Sequence, residues 1–416
     1  MERIIVTPGH RLNGEVRASG SKNSALPILA STILTEEECR VTRCPDISDV
    51  DNTVQILRYL GCEAEFSSGT VTVKADCIEN SDIPYSLMEQ MRSSIIFLGA
   101  MLARLGRAEI SMPGGCDLGP RPIDVHISSL KKMGAEFVEY GGFLYGEAQQ
   151  LRGAYIHLPF PSVGATENIM LAAVTAVGET VISNAAKEPE IADLAQMLTK
   201  MGARIEGAGG DVIKIVGVKR LYGAEHEIIP DRIEAVTLIA AAMITGGKVT
   251  VTGIVPEHIK AVADVLETAG VRISAGESFV TADAPKRLKA VPRIVTAPYP
   301  GFPTDCQPML TAMLSVADGV TLVSEQVFQS RFKYVNELYR MGADIYVEDR
   351  TAIVLGNSRL TGARVTATDL RAGAALVIAA LASTGKTEID DIYHIARGYE
   401  NIDGKLRTLG ADIKMK

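Results

Sequence analysis

Six glycines divide the chain into near-equal lengths. Gly61, Gly134, Gly202, Gly270, Gly342 and Gly410 are separated by 73, 68, 68, 72 and 68 residues. Each closes the same phrase, an amphipathic helical pattern, then Gly, then a short alternating segment. It reads VQILRYLGCEAEF, ISSLKKMGAEFVE, LAQMLTKMGARIE, VADVLETAGVRIS, VNELYRMGADIYV and DGKLRTLGADIKM. A fixed period of this size means one supersecondary unit repeated, none of which can bury its apolar face alone. Each glycine suits the left-handed residue that ends a helix, often with Lys or Arg in the turn before it.

Upstream of each lies a second, more apolar helix: SALPILASTIL, SSIIFLGAMLARL, ENIMLAAVTAV, IEAVTLIAAAMI, PMLTAMLSVA and AGAALVIAALAS. In five repeats it is expected to end at Gly106, Gly178, Gly247, Gly319 or Gly385, with a β-rich stretch such as ETVISN or KVTVTG following. These helices are apolar nearly all round, which predicts burial, while the amphipathic ones are expected to be exposed. The repeat is thus βαβαββ, an α/β unit, and six copies are present. The last copy stops at IKMK, short of a hairpin partner and a linking strand, and residues 1–18 contain both pieces. The N-terminus is therefore expected to complete the sixth unit and close a ring of repeats. The simplest partition is two lobes of three repeats, 20–229 for the first and 1–19 with 230–416 for the second.

Composition agrees with a globular chain. Of 416 residues, 47% are hydrophobic, 22% are charged and none is Trp, which excludes a disordered or coiled-coil protein. No apolar run approaches the ~18 residues of a spanning helix, and MERIIVTPGH lacks a signal-peptide core, so a cytoplasmic protein without membrane partners is expected. The net charge of −8 argues against a nucleic-acid coat, so an anionic ligand needs a local basic pocket. Neither a metal cluster, a P-loop nor a dinucleotide fingerprint is present, and no cofactor is expected. The six cysteines show no CxxC spacing and no disulfide framework is expected. All except Cys116 read as small core residues.

The repeats differ where function is grafted. Polar groups stand at the starts of the apolar helices: Lys22 and Asn23, Arg92, Glu167 and Asn168, Asp231 and Arg232, Asp305, and Asp369 with Arg371. Capping accounts for Asp231 and Asn168. It fails for Lys22, Arg92 and Arg371, because a cation at a buried helix start opposes the macrodipole. Cations there predict an anion among them, a phosphate- or carboxylate-rich ligand between the lobes. Repeat two is also longer, 28 residues from Gly106 to Gly134 against 23 to 25 in repeats three to six. The surplus coincides with the Gly- and Pro-rich run 113–122, which suits a moving lid. That run carries Cys116 and Arg121; Arg121 favours a reactive thiolate and Asp117 opposes it. The proline-rich segment 298–305 delivers Asp305 to a helix start, as a cap or as a general base. Arg331, Glu188 and the His394–Tyr399 run lie at the equivalent level of repeats five, three and six. Arg331 is a candidate anion contact and Glu188 a structural ion-pair partner.

The runs GSKNSALP, PGGC-x-LG-x-RP-x-D, SVGATEN, KEPEIADLA, IPDRIEA, PGFPTDCQ, TDLRAGAALV and ARGYE, taken in order, resemble the UDP-N-acetylglucosamine 1-carboxyvinyltransferase family of enolpyruvyl transferases. The resemblance covers essentially the whole chain. It implies a two-lobed inside-out α/β barrel, with helices inside and sheets outside. It also implies transfer of enolpyruvate from phosphoenolpyruvate to the 3-hydroxyl of UDP-N-acetylglucosamine, the first committed step of peptidoglycan synthesis. By that resemblance Lys22, Arg121 and Arg397 hold phosphoenolpyruvate with Asn23 beside them, and Arg92 helps bind anionic groups. Arg121, Pro122, Ile123, Asp124 and Val125, with Ser162, Val163, Gly164 and Val327, line the sugar-nucleotide site, and Arg331 and Arg371 are further substrate contacts. Asp305 accepts the 3-hydroxyl proton. Cys116 delivers a proton to C3 and is a candidate for a phosphoenolpyruvate thioether. The chain departs from the family's pattern at Asp117, Phe160 and Ala396. Two alternatives stay open on sequence: 5-enolpyruvylshikimate-3-phosphate synthase, and a catalytically weak paralogue with a nucleotide-sugar-binding or regulatory role. Oligomeric state is not legible.

Overall fold

The computed structural model describes residues 3–111, 123–356 and 359–416. Among them the chain falls into two units: one spans Gly20 to Ile229, and the other joins the residues up to Ser19 with Pro230–Lys416.

In the unit Gly20–Ile229 the described strands form three four-stranded sheets of one pattern. A short linking strand runs parallel to the strand after a core helix, which is antiparallel to the second arm of a hairpin. Tyr155–His157 lies along Glu179–Ser183 in this way, and Val212–Val216 and Arg204–Glu206 complete the sheet. The linking strand of each sheet comes from the repeat before. For the first repeat it is Glu225–Glu227, from the end of the third, which pairs with Cys39–Thr42. These three repeats therefore close on one another.

The second unit repeats the arrangement, with the N-terminal segment supplying two strands. Ile4–Thr7 inserts between Thr387–Asp390 and Asp412–Met415, antiparallel to both, with Ile4 opposite Ile389 and Met415. Asn13–Arg17 runs parallel to Lys248–Thr252 of repeat four. The N-terminus does complete the sixth repeat. The closure differs from the expected ring of six: each group of three is closed by its own returning strand.

The apolar helices form the cores. Every residue of Arg232–Ile244 is buried, and it packs with Gln307–Leu314 and Leu370–Leu381. Each fully buried Ile, Leu, Val or Met there contributes about 1.5–3 kcal/mol against the ordering entropy. In the other unit Phe97–Leu105 packs on Val163–Ala173 and on Lys22–Ser31. The strands outside alternate, with only Ile213 and Ile215 buried in Val212–Val216.

The six repeat glycines all adopt φ between 83° and 107°, where a side chain is strained. Other expectations need correction. The core helix of repeat four ends at Ile244 with Gly246 left-handed. Gly247 serves a close approach instead, since a Cβ there would lie 2.0 Å from the Leu12 carbonyl oxygen. In repeats three, five and six the helices end at Ala173, Leu314 and Leu381, several residues before the glycines. The amphipathic helices Ser48–Leu60 and Pro189–Lys200 are largely buried, because both pack on Lys22–Ser31. Lys260–Thr268 behaves as expected, burying only Val262 and Leu266. Cys77 is exposed, in the loop after the first hairpin, whereas Cys39, Cys44, Cys62 and Cys306 are buried.

Candidate active site

Asp305 lies in the short 3-10 turn Thr304–Cys306, which leads into the core helix Gln307–Leu314. The N-cap position of that helix is Cys306, so Asp305 stands one residue before the place of a cap. The carboxylate meets two guanidinium groups instead. Arg331 Nη2 donates to Oδ1 at 3.0 Å and Arg371 Nη2 donates to Oδ2 at 3.1 Å. The arginine side chains are 2% and 4% exposed, and that of Asp305 is 27% exposed. One carboxylate is thus gripped at both oxygens by two buried arginines while it stays partly exposed. Two charge-assisted bonds fix its plane as well as its position. Arg331 and Arg371 were expected as substrate contacts; the structure buries them, and the anion they face is Asp305.

Each arginine is itself held. The Arg331 guanidinium stacks over Phe328 at 5.6 Å and that of Arg371 over Tyr399 at 5.3 Å. Asp369 caps the helix Leu370–Leu381 by accepting from the backbone N–H groups of Arg371 and Ala372 at 3.0 and 3.1 Å. Burial pulls the Arg371 charge down, but Tyr399, Asp305 and Asp231 outweigh it, so the guanidinium stays above the usual arginine range. Cys306, next to Asp305, is pushed up to about 12 by burial, so it is a neutral thiol. Asp231 does cap its helix, accepting from Ile233 and Glu234 N–H at 2.8 and 2.9 Å.

Glu325 was missed by sequence reading. It is fully buried, and its carboxylate accepts from Thr296 Oγ1 at 2.8 Å and Thr304 Oγ1 at 3.0 Å. It also accepts from the N–H groups of Val327 and Phe328 at 2.8 and 3.0 Å. One side chain therefore fixes both the approach to Asp305 and the turn that exposes Val327. Its only signal in sequence was an acid between a strand and a loop. Arg397 follows the short helix Tyr393–Ala396 and is half-buried.

In the other unit Lys22 opens the core helix Lys22–Ser31, with Asn23 half-buried beside it. Its ammonium lies 2.6 Å from Asp49 Oδ2, and both residues are buried. This corrects the expectation that an anion at the helix start must come from a ligand. Asp49, in the first turn of Ser48–Leu60, supplies one from the chain. In sequence Asp49 reads as an ordinary acid at a helix start. Arg92 opens the 3-10 turn Arg92–Ile96.

Of the segment expected to line the sugar-nucleotide site, residues 123–125 are among those described. Ile123 is buried, Asp124 exposed and Val125 half-buried at the start of the helix Asp124–Lys132. Ser162 caps Val163–Ala173 by accepting from Ala165 N–H at 3.3 Å, which places Val163 and Gly164 in its first turn. Asn168 is not a cap; it sits fully buried inside that helix. Glu167, also buried, is raised well above the usual carboxyl range by burial, then by Glu190 and Glu188. Phe160 and Val327 are exposed. Cys116, Asp117, Arg121 and Pro122 lie outside the described residues.

The family model for EPSP synthase (3-phosphoshikimate 1-carboxyvinyltransferase) matches residues 6–406. A UDP-N-acetylglucosamine 1-carboxyvinyltransferase 2 of Caldanaerobacter subterraneus subsp. tengcongensis is 50% identical over 413 residues, 99% of either chain. Among solved structures, the enolpyruvyl transferase NikO from Streptomyces tendae superposes with a TM-score of 0.90 at 29% identity, covering 100% of this chain and 99% of NikO. An EPSP synthase from Acinetobacter baumannii covers 100% of both chains at a TM-score of 0.77 and 19% identity, a likeness of fold. Two groups of three βαβαββ repeats, the clamped aspartate and half-identity along the full length lead to one assignment: the chain belongs to the enolpyruvyl transferase family, among the UDP-N-acetylglucosamine 1-carboxyvinyltransferases.

Proposed function

We propose that the protein transfers the enolpyruvyl group of phosphoenolpyruvate to the 3-hydroxyl of UDP-N-acetylglucosamine with release of phosphate, the step that commits the sugar nucleotide to peptidoglycan. The observation that carries this reading is 50% identity over 99% of both chains to a transferase of that name. Asp305 takes the proton of the 3-hydroxyl while that oxygen bonds to C2 of phosphoenolpyruvate and C3 gains a proton from the Cys116 thiol. The product is a tetrahedral intermediate. Loss of a proton from C3 and departure of phosphate from C2 then restore the double bond. The two bonds from Arg331 and Arg371 hold Asp305 aimed, so little reorganisation is needed as the proton moves. Lys22, aligned by Asp49, joins Arg121 and Arg397 in neutralising the carboxylate and phosphate of phosphoenolpyruvate, with Asn23 and Arg92 assisting. Ile123–Val125, Ser162–Gly164 and Val327 bind the sugar nucleotide. The N–H groups at the start of Val163–Ala173 suit its diphosphate.

The test is phosphate release from phosphoenolpyruvate with either UDP-N-acetylglucosamine or shikimate 3-phosphate as acceptor. Release with the sugar nucleotide alone is expected. Release with shikimate 3-phosphate alone reverses the assignment, and release with neither leaves a binding protein.

A further inference from the structure

The strand that follows each core helix is a middle strand of its sheet, and alternate residues of it face outward. In five repeats that outward row carries a charge, at Arg40, Arg107, Glu179, Lys248 and Glu388. Val320–Ser324 of repeat five carries none, and its outward residues Val320 and Leu322 are 49% and 39% exposed. The neighbouring strands extend the patch. Val320 lies opposite Leu355, Leu322 opposite Ile353, and Ile353 opposite Tyr346, which is 60% exposed. Exposed apolar residues are ordinary singly, but a contiguous face of them marks an interaction surface.

Charge returns at the two edges of this face, with opposite sign. Arg293, opposite Leu322, stands on the edge strand Arg293–Val295, while Asp344 and Glu348 flank Tyr346 on the other edge. All three are exposed. The strands run in the order Arg293–Val295, Val320–Ser324, Thr351–Leu355, Asp344–Glu348, so the midline falls between the two apolar strands. A twofold axis above that midline, parallel to the strands, makes the face complementary to itself. It sets Leu322 over Ile353 of a second copy, Val320 over Leu355, and Arg293 over Tyr346 between the two acids. Apolar groups meet apolar groups, and each cation meets a ring flanked by carboxylates. Every contact is made twice and the face is then used up, so assembly stops at two copies.

We propose that the outer face of this sheet is a self-association surface through which two copies of the chain pair. Four strands of about five residues span about 19 by 17 Å. That is less than the ~800 Å² per partner of a standard interface, so pairing is reversible, with a dissociation constant of roughly 10–100 µM. Sedimentation equilibrium of the full chain over roughly 2 to 500 µM should show the mean mass rising from 44.4 kDa toward twice that value. The mass of one chain throughout, or growth past two copies, overturns the proposal. Leu322→Glu puts a carboxylate at the centre of the face and should weaken pairing roughly tenfold or more, with the thermal transition confirming the fold. Two edge variants alter exposed side chains only and do not depend on that result. Arg293→Glu should stay monomeric alone, as should Asp344→Lys with Glu348→Lys, because each sets like charges together. An equimolar mixture of the two restores opposite charges at both edges and should pair. Pairing by Leu322→Glu at wild-type strength, or a mixture that stays monomeric, refutes the proposal.

Discussion

Replacing Arg331 or Arg371 by Met tests the grip on Asp305. Methionine keeps the apolar stem of the side chain and removes the fork, whereas lysine would leave a point charge of different geometry. Each substitution deletes one charge-assisted bond, of 3.0 or 3.1 Å, from a buried donor to a partly exposed carboxylate. Such a bond is worth about 1.5–3 kcal/mol. That attraction is to the ionised carboxylate and weakens as Asp305 takes the proton, so the arginines act on the rate through aim, and a carboxylate released on one side should lower kcat roughly ten- to hundredfold. The two losses act on one carboxylate, so the double variant should fall less than the product of the single effects. The assay is steady-state phosphate release, normalised to folded protein by the thermal transition of each variant. A kcat within twofold of wild type in both single variants refutes the reasoning. So does an effect confined to KM, which would make the arginines substrate contacts after all.

Three further expectations concern the supporting structure. Asp49→Asn leaves the buried Lys22 ammonium without its counter-charge, which should cost about 3 kcal/mol and raise the KM for phosphoenolpyruvate. A urea midpoint that falls at constant m, together with the kinetics, checks this. Gly99→Ala places a Cβ 2.2 Å from the Asn168 carbonyl oxygen, so Phe97–Leu105 and Val163–Ala173 must separate. A loss of about 1–3 kcal/mol in the same titration is expected. Glu167 titrates above its unfolded value of 4.5, so the fold binds a proton that the unfolded chain releases. Its contribution is present below about pH 4.5 and is lost as pH rises toward the native value. Glu167→Gln should flatten that alkaline loss in stability measured from pH 5 to 8, and an unchanged slope contradicts it.

The repeat was legible because its marks are local. A glycine that must adopt positive φ recurs every 68 to 73 residues, and the apolar and amphipathic helices differ in periodicity within one window. The catalytic candidates were legible as exceptions, since cations at buried helix starts break a local rule. What escaped was pairwise and distant. Nothing in the periodicity says that Lys22 meets Asp49, or that Arg331 and Arg371 converge on Asp305 from two different repeats. An acid at a helix start reads as a cap, and only geometry separates Asp231, which caps, from Asp305, which precedes the N-cap position and meets two arginines. Closure by threes was equally hidden, because Glu225–Glu227 is a three-residue strand whose partner lies 185 residues earlier. Glu325 and the pair Asn168–His126 carry no pattern at all, since their partners are backbone groups and distant side chains brought near by the fold.

Carbon-13 NMR of the product made from phosphoenolpyruvate labelled at C2 tests the central claim most directly. With UDP-N-acetylglucosamine in the wild-type reaction, the label should appear as an enol-ether carbon coupled through oxygen to C3 of the sugar, with one phosphate released per sugar nucleotide consumed. Label remaining in phosphoenolpyruvate, or appearing only when shikimate 3-phosphate is the acceptor, would contradict it.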